Sequence, residues 1–363
     1  MKANQIIDEE MYGFKAKDIL ESLLIPIKTK NPKIEDIELD NESITLMKEF
    51  AKRLSEKLDR KPSTIYKLAS KIPISYRIVP STVRNRILRI KTANTNIDYI
   101  EKMKLEKIRL KFLEKIGYNT NSSEEKGICI ITHDIESEKG LKRALKLKEI
   151  EEKYEIESTW FLLTKEYSLD KEIVKRLSEN GEIALHGDRH EAKFYNLKKD
   201  EIVERLKKSK EKLEEIIEKE IVGFRAPLLQ YSRKMLEAVS EAGFQYDSSA
   251  PAWEPLNPLT MKQDGIELLN PIKINEIMEM PITLVQDHQM LCILKLKPEQ
   301  AIEHWIKKIN GIRKLGGITL LLIHPDYELA SDKNITQYED LLKKLKQMGL
   351  SISSLRNVQY QLK

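Results

Sequence analysis

Apolar positions recur at intervals of three and four over two stretches near the N-terminus. Ile44, Met47, Phe50, Ala51, Leu54 and Leu58 form one stripe, and Ile100 to Ile116 carries another with Lys and Glu between. That spacing places the apolar side chains on one face of a helix, so the chain up to about Tyr118 reads as helices broken by prolines. The run Asn119-Thr120-Asn121-Ser122-Ser123-Glu124-Glu125-Lys126-Gly127 is polar and has no period, which marks a linker. Beyond it the pattern changes to short apolar runs: Ile128 to Thr132, Thr159 to Leu163, Ile183 to His186, Val222 to Arg225, Gln245 to Ser248, Ile318 to His324 and Ser351 to Leu355. Amphipathic stretches intervene at about Lys139 to Tyr154, Asp170 to Glu179, Lys198 to Glu218, Ser232 to Ala242, Pro298 to Leu315 and Gln337 to Met348. Strand and helix in alternation imply a parallel sheet with helices outside it, and seven such units favour a barrel over a doubly wound sheet. Pro251 to Val285 interrupts the rhythm with five prolines (251, 255, 258, 271 and 281) and is expected to form a long ordered loop over one end. The predicted organisation is a helical annex over residues 1–118, a linker over 119–127 and an α/β barrel over 128–363.

Composition narrows the class. Of 363 residues, 40% are hydrophobic and 33% charged, with only 13 Gly and 13 Pro, which excludes collagen-like and predominantly disordered chains. The two cysteines, Cys129 and Cys292, sit in apolar runs (Ile128 to Ile131, Leu291 to Leu294) that read as buried strands, so no disulfide framework is expected and a reducing compartment fits. Met1 to Glu10 lacks the basic start and apolar stretch of a signal peptide, and no apolar run approaches the roughly 18 residues of a membrane span. The expected location is the cytoplasm, with peripheral membrane contact left open. Net charge is only +5, yet Lys52 to Lys115 holds 18 Lys and Arg against 6 Asp and Glu, a local +12 that leaves the rest of the chain at −7. That basic segment reads either as a solvated helical surface or as a platform for an anionic partner: a phosphorylated or lipid-linked glycan, an anionic membrane face, or nucleic acid. Tyr66, Tyr76, Tyr99 and Phe112 show no recognition-motif spacing, so nucleic acid is the weakest of these.

Candidate chemistry collects at the C-terminal ends of the predicted strands, the edge where barrel loops converge into active sites. Leu185-His186-Gly187-Asp188-Arg189-His190 follows the third strand, and its His-x3-His spacing lets two imidazoles converge on one metal. Thr132-His133-Asp134-Ile135-Glu136 follows the first and presents two carboxylates two residues apart. Arg225-Ala226-Pro227, Asp247-Ser248-Ser249 and Leu322-Ile323-His324-Pro325 end three others. Helix capping, a surface ion pair or a strand terminator explains any one of these; it explains the five together poorly.

The ordered set resembles the polysaccharide deacetylases of the NodB-homology type (carbohydrate esterase family 4), over roughly Gly127 to Leu355. Thr132 to Glu136 stands where the family has Thr-Phe-Asp-Asp-Gly, His186 to His190 matches its His-x3-His motif, Arg225-Ala226-Pro227 its Arg-x-Pro motif and Leu322-Ile323-His324 its Leu-x-His motif. The resemblance implies a distorted TIM-like (β/α)7 barrel and one divalent metal ion, usually Zn2+. Ile135 occupies the place of the family's metal-binding aspartate, so Glu136 is expected to ligate with His186 and His190, leaving Asp134 as general base; an exchange of roles between the two carboxylates stays open. Arg225 is expected to hold Asp134 ionised, His324 to protonate the leaving nitrogen and Asp247 to orient His324. The backbone N–H near Leu228 is implied as part of an oxyanion hole, and Trp253, six residues beyond Asp247, is the candidate for sugar stacking.

Other residues have plainer readings. His133 adjoins Asp134, but strand alternation turns it away, so a packed histidine is expected. Asp287-His288 is a candidate substrate contact, His304 a surface or core histidine, and Trp160 a core residue. The expected function is removal of an N-acetyl or other small N-acyl group from a sugar or glycan precursor. Hydrolysis of a small non-sugar C–N bond on the same barrel, or a catalytically silent glycan-binding protein, are the alternatives.

Overall fold

The computed structural model describes residues 2–25, 37–61, 86, 98–118, 127–254 and 265–362. Near the N-terminus Glu10–Met11 (β1) and Phe14–Lys15 (β2) pair as a small antiparallel hairpin. Ile128–Ile135 (β3) is buried along nearly its whole length, as an Ile-rich run must be when it is covered on both faces. It is the hub of a curled sheet with Thr159–Leu162 (β4), Glu182–Leu185 (β5), Gly223–Phe224 (β6), Tyr246–Asp247 (β7), Ile272–Ile274 (β8), Ile277–Glu279 (β9), Thr319–Ile323 (β10) and Ser351–Ser353 (β11). The order β10-β3-β4-β5-β6-β7-β9 is parallel throughout; β8 runs antiparallel to β9 at the edge, and β11 lies parallel to the first residues of β3. Seven parallel staves make the distorted (β/α)7 barrel expected from the sequence.

The stave that sequence patterning missed is β9. It lies with β8 inside the stretch expected to be one long loop, because strands of three residues between prolines show no period long enough to read. The C-terminal Ser351–Ser353, counted as a seventh unit, is instead a short strand beside β3. Past β9 the chain closes the curl without a full ladder. Ile282 bonds Ala250 and Ala252 on one side; on the other, Leu284 N–H donates to the Leu320 carbonyl at 3.2 Å, and the Thr283 hydroxyl donates to the Ile318 carbonyl (3.0 Å) while accepting from Leu320 N–H (2.7 Å).

The amphipathic stretches are helices within a few residues of expectation: Glu138–Lys153, Lys171–Ser178, Lys199–Ile217, Arg233–Glu241, Pro298–Lys314 and Ile335–Gln347. The Cys292 run is a tight π-helical turn, Gln289–Ile293, and no strand; both cysteines are unpaired, Cys129 buried and Cys292 half-buried. In the annex, Asn41–Asp59 and Lys104–Lys115 are helical and bury the predicted stripe of Met47, Phe50, Ala51, Leu54 and Leu58. The annex helices pack on the barrel. Arg109 and Glu106 form a fully buried ion pair; Glu106 also accepts Leu269 N–H at 3.1 Å, and Arg109 reaches the Leu315 carbonyl at 3.1 Å. Lys57 pairs with Glu267 at 2.8 Å, and the Tyr99 hydroxyl donates to the Thr283 carbonyl. Most of the basic segment and the linker from 119 to 126 lie outside the described residues. No helix among the described residues is long and apolar enough to cross a membrane.

Candidate metal centre and active site

Successive side chains on an extended strand leave opposite faces. Asp134 and Glu136, two apart at the end of β3, therefore share the face that opens into the barrel mouth, while His133 and Ile135 turn outward. His133 is the packed histidine expected: it is buried, stacked on Trp160 with ring centroids 4.1 Å apart, and holds Glu151 at 2.7 Å. After β5 the chain must bring His186 and His190 together around a sharp turn. Gly187 takes it at φ +92°, where a side chain would also crowd Pro227 at 3.3 Å.

The outcome is a buried cluster in which one ligand atom each of Glu136, His186 and His190 lies within 4.8 Å of the others. His190 Nε2 is 2.9 Å from Glu136 Oε1. His186 turns Nδ1 to the Arg225 carbonyl (2.9 Å), which leaves Nε2 facing the cluster with no hydrogen-bond partner. Burial pushes this imidazole down to about 4, against the pull of Asp134, so at neutral pH it is uncharged with a lone pair to offer. Two imidazole nitrogens and a carboxylate, one ring fixed from behind by a carbonyl, suit a divalent ion of the zinc type.

Asp134 sits beside this cluster, its Oδ2 3.7 Å from His186 Nε2. Burial opposes its ionisation, but Arg225, with His186 and His324, outweighs that and holds the carboxyl below its ordinary value. The Arg225 guanidinium, itself fully buried, donates from Nη1 to Asp134 Oδ1 at 2.8 Å. Across the cleft His324 ends β10. Its Nδ1 is 2.7 Å from Asp287 Oδ1, and its Nε2 lies 4.0 Å from Glu136. Burial alone would lower this imidazole; Asp287, then Glu136 and Asp134, raise it to about 9, so it carries a proton at neutral pH.

Residues 122–246 match the family model for polysaccharide deacetylases. The barrel fold is shared with a protein from Mycobacterium smegmatis described only provisionally as a polysaccharide deacetylase, at 18% identity and TM-score 0.53 over 66% of this chain and 92% of that one. Similarity extends to a CE4 family pseudoenzyme from Bacillus anthracis (15% identity, TM-score 0.45, 65% of this chain and 66% of that). It also extends to the chitin deacetylase of Colletotrichum lindemuthianum (13%, 0.44, 65% and 88%). No curated protein matches the sequence significantly.

Within this barrel, two sequence expectations are displaced. His324 is held by Asp287 and not by Asp247. Asp247, on β7, accepts from Ser249 N–H (2.8 Å) and the Ser249 hydroxyl (2.9 Å) and lies in register with Glu279 on β9. Its carboxyl group is taken up by Ser249 and by Glu279 on the neighbouring stave. Burial, reinforced by Asp247, pushes Glu279 far above the usual carboxylate range. Trp253, expected to stack on sugar, packs nearly parallel to Tyr99 of the annex at 6.3 Å and is not among the described residues of the cleft wall. Leu228 does line the cleft, in a left-handed conformation (φ 57°) that a leucine adopts only when its surroundings impose it.

Besides the carboxylates and histidines named above, Leu228, Leu229, Gln286, His288 and Tyr327 line the cleft. Sequence reading missed Gln286 and Tyr327, and gave Asp287 only a substrate contact. The Tyr327 hydroxyl donates to Glu136 Oε2 at 3.3 Å, and its ring lies beside both His288 and His324. Asp326 accepts Glu136 N–H at 2.9 Å and the Ser137 hydroxyl, fixing the backbone at the end of β3. His304 is half-buried on the Pro298–Lys314 helix, away from the cleft lining.

Proposed function

We propose that the protein is a metal-dependent hydrolase that removes an N-acetyl or other small N-acyl group from a sugar or glycan precursor. The observation that carries this reading is that one cleft holds three elements: the Glu136, His186 and His190 ligand set, a carboxylate held ionised (Asp134) and an imidazole held protonated (His324). Amide hydrolysis needs a strong nucleophile, a stabilised oxyanion and a proton for the departing amine. Bound to Glu136, His186 and His190, a divalent cation such as Zn2+ supplies Lewis acidity toward a carbonyl oxygen and a water.

The chain's own residues do the rest. Asp134, ionised beside Arg225, accepts the proton of the attacking water. His324 has Nδ1 committed to Asp287, so Nε2 is the atom that donates a proton to the leaving nitrogen; acid–base help of this kind is worth roughly 10²- to 10⁴-fold. Carboxylate and amine are the products. Leu228 and Leu229 give the cleft an apolar wall suited to a small acyl group.

The test is metal analysis of chelator-free protein beside a His186→Ala/His190→Ala variant, followed by acetate release from N-acetylated sugars. About one equivalent of ion in the wild type alone, with acetate released, supports the reading. Stoichiometric metal without turnover of any N-acylated sugar would point instead to a silent glycan-binding barrel, and absence of stoichiometric metal would end the hydrolase reading in this form.

A further inference from the structure

Arg225 can keep Asp134 in place only if the guanidinium is itself fixed. The Phe161 ring lies against it, 4.1 Å from ring centroid to guanidinium carbon. A flat ring under a flat cation restrains tilt, but it lets the cation turn within its own plane. Ser248 holds one whole edge of the guanidinium against that turn. Nε donates to the Ser248 carbonyl at 2.8 Å, and Nη2, on the same edge of the guanidinium, donates to the Ser248 hydroxyl at 2.9 Å. That hydroxyl donates onward to the Met280 carbonyl at 2.8 Å, so its lone pair is aimed at the arginine. With this edge gripped at two points, Nη1 on the far side is delivered to Asp134 Oδ1 and to the Thr132 hydroxyl (2.9 Å). Ser249 secures the same segment from behind: its hydroxyl accepts Ala226 N–H at 2.8 Å while donating to Asp247. Phe161, Arg225, Ser248 and Ser249 are all buried, and none of the four is among the residues that line the cleft.

We propose that Ser248 is a positioning residue for the Asp134 base, acting through Arg225. The assignment rests on the hydrolase reading above. It gives the Ser248-Ser249 pair a role that the sequence alone left without one. A hydrogen bond to a charged group is worth enough that its loss reads as roughly a ten- to hundredfold fall in rate.

The experiment compares wild type, Ser248→Ala and Ser248→Thr in acetate release from an N-acetylated sugar, with metal content and melting temperature measured on each. Ser248→Ala is expected to lose that factor in kcat with KM and metal content unchanged, because substrate and metal contacts are intact. Ser248→Thr, which restores the hydroxyl, is expected to recover most of it. A crystal structure of the alanine variant is expected to show the guanidinium turned in plane, with the Nη1 to Asp134 contact lengthened. If Ser248→Ala does not fold, Ser248→Cys keeps the volume with a poor acceptor and carries the same expectation. A folded alanine or cysteine variant with wild-type kcat, or one whose loss lies in KM or metal content, overturns the assignment. An inactive but metal-replete wild type would overturn the hydrolase reading instead, and the guanidinium position in the variant crystal would still decide the part played by Ser248.

Discussion

Asp287 grips His324 twice: Oδ1 takes the ring at Nδ1, 2.7 Å away, and Oδ2 accepts the residue's own backbone N–H at 3.1 Å. The carboxylate is fully buried, so it fixes the imidazole's orientation and favours its protonated form. Asp287→Asn, which removes the charge and keeps the shape, is expected to lower kcat by about 10²-fold or more, consistent with the worth of a positioned acid. Metal content should not change. Asp247→Asn is expected to cost far less, and equal losses in the two variants would reinstate Asp247 as the partner of His324.

The two carboxylates at the end of β3 are expected to separate under mutation. Asp134→Asn should retain about one equivalent of metal and lose nearly all turnover, whereas His186→Ala should lose both. Elemental analysis beside acetate release distinguishes them, and an active Asp134→Asn enzyme would exclude that residue as the base.

Glu279 predicts a pH dependence of stability. It keeps its proton in the folded protein at pH values where the unfolded side chain, with its ordinary value of 4.5, has lost it. Folding therefore takes up a proton above that point, and the site's contribution to stability falls as pH rises. Glu279→Gln, which can still accept Ala250 N–H as Glu279 does at 3.0 Å, is expected to be more stable than wild type at pH 7. The advantage should shrink as pH falls toward 4.5. Urea denaturation of the two proteins at pH 5, 6 and 7 measures it, and a difference that does not vary with pH would contradict a retained proton.

The annex and barrel share buried charge. Arg109→Met strips Glu106 of its buried partner at the annex–barrel contact, a change that costs about 3–5 kcal/mol where such pairs have been broken. An unfolding free energy lowered by less than about 1 kcal/mol in chemical denaturation would show that Glu106 finds another partner.

Much of the barrel was legible because its staves are apolar runs between amphipathic helices, and β3 to β5 are long enough to show it. Pairing within β9 was not legible: three residues carry no period, and the neighbouring prolines argue for a loop. Spacing brought the candidate ligands together, since positions 134 and 136 must share a face of a strand and His186 and His190 lie four residues apart, whereas the choice of Glu136 over Asp134 rested on the family resemblance. The partner of His324 could not. Asp287 stands 37 residues earlier, just before an irregular helical turn, and only the closing of the curl brings it to the β10 rim. Tyr327 was hidden for a related reason, lying in a turn whose direction no local pattern sets.

The seam at Thr283 bears on how separable the two parts of this chain are. Its hydroxyl joins the last stave to β10 and its carbonyl receives Tyr99 from the annex, four residues before Asp287. The clasp that shuts the barrel, the anchor of the annex and the approach to the Asp287–His324 pair thus occupy one short piece of backbone. Transplanting this barrel onto a different N-terminal partner would strip a hydrogen bond from the very segment that aims Asp287, so a chimera would have to supply its own donor at that carbonyl to keep the acid in register.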